Sequence, residues 1–151
     1  MNAIENRKQF VDTNIFIYAY DLSAPEKSKT AKKLIVGLWE SGLGVISIQV
    51  LQELYVNLTR KLPNPVSREQ ASQIVTDLGQ WHLHRPSIAD LQRALTIEKE
   101  YSISFWDAMI VSSALQMDCK VLWTEDLNSG QYLADRKRQN AHALLNQPVC
   151  A

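Results

Sequence analysis

Phe10-Val11-Asp12-Thr13-Asn14-Ile15-Phe16-Ile17-Tyr18-Ala19-Tyr20 sets an acid followed by two small polar residues inside an otherwise apolar run. The apolar residues at 10–11 and 15–20 read as a short buried strand breaking into a helix. Asp12 then sits where strand becomes helix, the position where Asp, Thr and Asn cap the first turn.

Working outward, the hydrophobic period alternates between helical and extended. Ala31, Leu34, Ile35, Leu38 and Trp39 fall at helical spacing and predict an amphipathic helix over 26–41, entered at Pro25 and ended near Gly42 and Gly44. A brief strand at 44–47 follows, and Ser47 or a neighbour is placed to cap a helix running to about Lys61, where Pro63 and Pro65 stop it. Ser67 and Gln70 stand in capping-box register within a helix over 66–78, and 81–85 alternates like a strand. Helices follow from Ile88 to near Tyr101 and from Ser104, then a strand at 120–124. The stretch 126–139 is polar and turn-like, and 141–145 reads as a final strand in preference to a short helix. Strands alternating with helices predict parallel crossover units: a three-layer α/β/α sandwich with a mainly parallel central sheet and one domain over 1–151. Ligands of such sheets bind at the carboxyl ends of the strands.

Composition narrows the function classes. Hydrophobic residues make up 46% and charged residues 21% of 151, ordinary globular usage. Lys plus Arg and Asp plus Glu number 16 each, so the formal net charge is zero and no global basic field attracts nucleic acid. Any nucleic-acid binding must rest on local features. Cys119 and Cys150 stand without a CxxC or Cys/His cluster, which favours a reducing compartment. The polar N-terminus lacks a signal-peptide core, and no apolar run approaches the ~20 residues that span a bilayer. A cytoplasmic protein without membrane contact is expected.

The residues with chemistry to offer are acids: Asp12 after the first strand, Glu53 in a helix, Asp107 at a helix start and Asp126 beyond the fourth strand. Junctions of an α/β sheet converge on one edge, so acids far apart in sequence can share a pocket. Gathered carboxylates repel unless a cation neutralises them, and their hard oxygens select Mg²⁺ or Mn²⁺. Such an ion activates water and stabilises the leaving oxygen of a phosphodiester without a histidine base. Each acid alone has a plainer reading. Asp12 could cap a helix, Asp107 lies in box register with Ser104, Glu53 could be solvated, and Asp126 could serve a turn.

The wording around the acids decides between these readings. Phe10-Val11-Asp12-Thr13-Asn14-Ile15-Phe16, Gln52-Glu53-Leu54, Phe105-Trp106-Asp107-Ala108-Met109-Ile110 and Leu122-Trp123-Thr124-Glu125-Asp126-Leu127, in this order, resemble the PIN-domain family over nearly the whole chain. That resemblance implies a helix-flanked sheet, an acidic pocket for Mg²⁺ or Mn²⁺, and endonucleolytic cleavage of RNA. Asp12, Glu53, Asp107 and Asp126 match the family's acidic positions; Glu125 is the alternative fourth acid, with Thr-x-Asp spacing favouring Asp126. Thr13, Asn14 and Thr124 match supporting polar positions. At this size the chain resembles VapC-type toxins, which implies a cognate antitoxin and a homodimer.

Other residues receive plainer assignments. His82 and His84 form a His-x-His pair without an evident third ligand, so packing is expected; His142 is read as solvated. Trp39, Trp81, Trp106 and Trp123 are expected in the core and not as base-stacking platforms, with Trp106 walling the acidic pocket. Lys27, Lys29, Lys32 and Lys33, Arg60 and Lys61 read as solvated charge, and Arg136, Lys137 and Arg138 as the best RNA contact. Two further readings stay open: a non-catalytic RNA- or protein-binding module, and a Mg²⁺-dependent phosphatase in which Asp12 is the nucleophile. The phosphatase pattern wants a second Asp where Asn14 stands.

Overall fold

The protein is described by a computed structural model over residues 6–124 and, beyond these, by the strand backbone at 133–134, 141–142 and 145–146. β1 (Gln9–Val11) is buried along its length and lies at the centre of a five-stranded sheet of order β3-β2-β1-β4-β7. Its neighbours are β2 (Gly44–Ser47) and β4 (Val121–Trp123), both parallel, with Phe10 opposite Val45 on one side and Leu122 on the other. β3 (His82–His84) and β7 (Leu145–Asn146) complete the sheet, also in parallel. β5 (Leu133–Ala134) and β6 (Ala141–His142) pair apart from it in antiparallel fashion. The expected strand at 141–145 is thus realised as two short strands. The expected turn-like stretch 126–139 contains β5, and its other residues lie outside the described ones.

Helix starts follow the capping chemistry. α1 (Thr13–Tyr20) begins directly after Asp12, so the run at 15–20 is helical throughout and the strand ends at Val11. α2 (Pro25–Ser41) has Pro at its first turn and ends at Gly42 with φ of 70°, a left-handed position that suits glycine. Ser47, Ser67 and Ser104 cap α3 (Ile48–Arg60), α4 (Arg68–Leu78) and α6 (Phe105–Gln116). α5 (Ile88–Tyr101) carries a complete capping box between Ser87 and Asp90. The core joins Phe10, Val45, Ile46 and Leu122 of the sheet to Phe16, Leu54, Leu58 and Val111 of the helices. Among the described residues, no helix is long and apolar enough to cross a membrane.

The tryptophans divide. Trp81 is buried and Trp123 half-buried, but Trp39 is 44% and Trp106 62% exposed, against the expectation of core packing. Trp39 lies on the rim of the α2 stripe, resting edge-on against Trp81 at 5.7 Å. Trp106 occupies the first turn of α6, between Phe105, which packs on the core, and Ala108, which is buried in it. Gly44 lies so close to Trp81 that an added Cβ would stand 2.5 Å from Cε3. We expect Gly44→Ala to cost about 1–3 kcal/mol through this overlap; an unchanged urea midpoint would show that Trp81 moves aside freely.

A buried polar network links β3 to α5 and α6. His84 Nδ1 lies 2.8 Å from Ser113 Oγ and its Nε2 lies 3.2 Å from Asp90 Oδ2, while Arg93 pairs with Asp90 Oδ1 at 3.1 Å. His84 is therefore a packed, bonded histidine, whereas exposed His82 meets Gly42 O at 3.0 Å. Burial holds the His84 imidazole below its ordinary value, against the pull of Asp90. Burial alone would raise Asp90, but hydrogen bonds from the Ser87 backbone and side chain, with His84 and Arg93, hold it below the carboxylate range. Both folded-state values are depressed, so the unfolded chain takes up each proton first and acid removes stability. We expect the His84 contribution to be present above pH 6.5 and to fade as pH falls below it. Thermal melts between pH 8 and 5 check this, and a Tm independent of pH across that window would contradict it.

Candidate functional site

The carboxyl ends of β1, β2 and β4 carry Asp12, Ser47 and Thr124, so the sheet itself brings the first acid beside the residue that follows the fourth strand. Asp12 is 4% exposed. Its Oδ1 accepts the Thr13 backbone N–H at 2.7 Å and its Oδ2 accepts the Thr124 hydroxyl at 2.8 Å. A carboxylate taken so far out of water needs such donors, and the positive end of α1 favours its charge.

Glu53 reaches the same edge from α3. Thr13 Oγ1 donates to Glu53 Oε2 at 2.8 Å, so one residue, Thr13, bonds to both acids. Gln49, one helical turn before Glu53, donates from Nε2 to Glu53 Oε1 at 2.8 Å and to the Trp106 carbonyl at 3.2 Å. The line of hydrogen bonds therefore runs from Thr124 through Asp12, Thr13, Glu53 and Gln49 to the peptide preceding Asp107. Asp107 is half-buried, its backbone N–H bonded to Ser104 Oγ at 3.1 Å. The reciprocal half of a capping box is absent there, so this carboxylate is not consumed by the helix start.

Of the acids singled out in the sequence, Asp12 and Glu53 are bridged through Thr13 and Asp107 is attached through its neighbour Trp106. Asp126 and its alternative Glu125 lie outside the described residues, as do Arg136, Lys137, Arg138 and Cys150. Thr13 bonds to Asp12 and Glu53, and Thr124 bonds to Asp12, the first acid; Asn14 is half-buried on α1. Lys29, Lys32, Lys33, Arg60 and Lys61 are exposed, and Lys27 lies over the Tyr18 ring at 4.7 Å. Cys119 is a buried core residue whose thiol is pushed up to about 12, chiefly by desolvation, which leaves it unreactive. Gln49 was missed; its signal was the four-residue spacing to Glu53 on one helix face.

The oxygens gathered here are carboxylates of Asp12 and Glu53 and hydroxyls of Thr13 and Thr124, a set that suits a hard divalent cation. Among the described residues, no three His, Cys, Asp or Glu side chains form a closed metal-holding group. An apolar groove of about 280 Å³ between α1, α2 and α4, lined by Phe16, Tyr20, Trp39 and Leu78, contains none of the candidate acids. The candidate acids lie at the sheet edge instead.

Comparison with known proteins agrees with this geometry. The family model for the PIN domain matches residues 10–134. Among solved structures, the crystal structure of Mycobacterium tuberculosis VapC20, described as a sarcin-ricin loop cleaving toxin, is similar with a TM-score of 0.58. It shares 20% identity, over 79% of this chain and 90% of that one. No curated protein sequence matches the chain significantly.

Gln49 provides a direct test of the hydrogen-bonded line. Gln49→Leu removes the donor to Glu53 Oε1 and to the Trp106 carbonyl, and we expect a loss of about 1–3 kcal/mol. Denaturant unfolding measures it; wild-type stability would mean that water replaces the amide at no cost.

Proposed function

Because the chain belongs to the PIN domain family, we propose that it is a Mg²⁺- or Mn²⁺-dependent endoribonuclease acting as the toxin of a type II toxin-antitoxin pair. Asp12, Glu53, Asp107 and Asp126 are its metal-holding and catalytic residues. The observation that carries the reading is the bonding of Asp12 and Glu53 through Thr13 at the carboxyl edge of a parallel sheet. The similarity of fold to a toxin that cleaves the sarcin-ricin loop supports RNA as the substrate class. A cytoplasmic location, a cognate antitoxin and a homodimer belong to the same proposal.

A divalent cation bound here would supply positive charge to the scissile phosphate and acidify a water. The chain's own contribution is orientation. Thr124 and the Thr13 N–H fix the Asp12 carboxylate in one orientation. Thr13 and Gln49 do the same for Glu53, taking one lone pair of each oxygen and leaving the others for a ligand or a proton. Asp107 is the least engaged of the three described acids and is the one best placed to accept a ligand or water on binding. His84, bonded on both ring nitrogens, takes no part as a base.

Purified protein incubated with a mixed RNA pool in EDTA, Mg²⁺ or Mn²⁺ tests this. Cleavage should require the metal, and Asp12→Asn or Asp107→Asn should reduce it by about a hundredfold or more, at or beyond the range for residues that only orient a ligand. Calorimetric titration with Mn²⁺ gives a second readout, with binding weakened in both variants. Cutting that persists in EDTA, or variants as active as wild type, would sink the proposal; Mn²⁺ binding that ignores the acids would point to a non-catalytic module.

A further inference from the structure

Trp106 stands out among the exposed apolar side chains. It is 62% exposed, yet its surroundings hold it in place: its ring meets Phe105 edge-on with centroids 5.0 Å apart, and Phe105 packs against the core. Its carbonyl accepts the amide of Gln49, whose same nitrogen holds Glu53, and the next residue is Asp107. Trp39, the other exposed tryptophan, belongs to the opposite edge of the sheet, beside Gly42 and Gly44 at the start of β2, and it already rests on Trp81. Trp106 is thus an indole exposed at the carboxyl edge and bonded into the line that carries the acids.

Physical chemistry gives that indole a task. A site built of carboxylates repels a polyanion except where a cation intervenes, and a chain of zero formal charge has no long-range field to offset the repulsion. Binding must therefore rest on local contacts, and those that do not depend on charge are not opposed by the acids. Stacking on an aromatic face is such a contact, available from every base and indifferent to sequence. It also requires an unpaired base, because the faces of bases inside a duplex are covered by their neighbours.

Resting on the nuclease reading above, we propose that Trp106 is a positioning residue that stacks on one unpaired base of the substrate and thereby sets which phosphodiester meets the acids. The contact needs a base that is unpaired where it meets the indole. The contact fixes the register of cutting relative to a base without specifying its identity.

The test takes a single-stranded oligoribonucleotide that the wild-type chain cuts and moves one abasic residue along it, nucleotide by nucleotide, for wild type, Trp106→Phe and Trp106→Ala. With wild type, kcat/KM should fall about tenfold when the abasic residue reaches one position near the cut. Trp106→Ala should be about tenfold slower on the intact strand, mostly in KM, and insensitive to the abasic residue at that position. Trp106→Phe, which keeps an aromatic face, should retain most of the activity and the sensitivity. Thermal melts of both variants separate a folding defect, which would lower activity at every position alike. Equal abasic profiles for wild type and Trp106→Ala overturn the stacking role while leaving the nuclease reading intact. A loss of self-association in Trp106→Ala with unchanged kcat/KM also overturns it, assigning the indole to a protein contact. A wild-type chain that cuts no RNA overturns both readings together.

Discussion

The burial of one carboxylate organises this molecule. Asp12 ends the central strand, and being 4% exposed it must find hydrogen-bond donors inside the protein. One donor is the first amide of α1, so satisfying the acid also starts the helix that carries Phe16 into the core. The other is the Thr124 hydroxyl, so the same acid ties the carboxyl end of β1 to that of β4. Structural and chemical demands coincide here. The residue that caps α1 is also held in a fixed orientation at the edge where a parallel sheet presents ligand sites. An isosteric amide would keep much of the cap but lose the charge, which is why the two roles of Asp12 are separable by substitution.

The sequence made this junction legible because its signals are local. An acid followed by Thr13 and Asn14 between apolar residues marks a strand end and a helix start together, and serines at 47, 67, 87 and 104 mark most of the remaining helix starts. Less legible was whatever depends on crossing between elements. Glu53 reads as a solvated helix residue until Thr13 of another helix is found bonded to it. Gln49 gives no sign that its amide reaches the carbonyl of Trp106 on α6. Periodicity assigns residues to faces but not to rims, so the apolar patterning around Trp39 and Trp106 predicted a core that neither joins. Asp126 was read from family wording and lies outside the described residues, so its place in the site rests on that resemblance.

The buried network of Ser113, His84 and Asp90 shows why geometry must be read with burial. A serine, a histidine and an aspartate in hydrogen-bond reach are the components of an acyl-transfer site. In such a site the hydroxyl meets Nε2 and the acid meets Nδ1; here the order is reversed, with Ser113 on Nδ1 and Asp90 on Nε2. Ser113 lies within α6 and is almost fully buried, so no substrate reaches it, and neighbouring helix amides are committed to helix bonds and cannot serve a developing oxyanion. What the network does is mechanical. It fastens β3 and α5 to the helix whose first turn carries Trp106 and Asp107, and Ser112 of that helix adds a bond to the Asp90 carbonyl at 2.8 Å. A rigid α6 fixes where Asp107 sits relative to the Asp12 edge, so a polar cluster that takes no part in the proposed chemistry still sets the geometry of the proposed site.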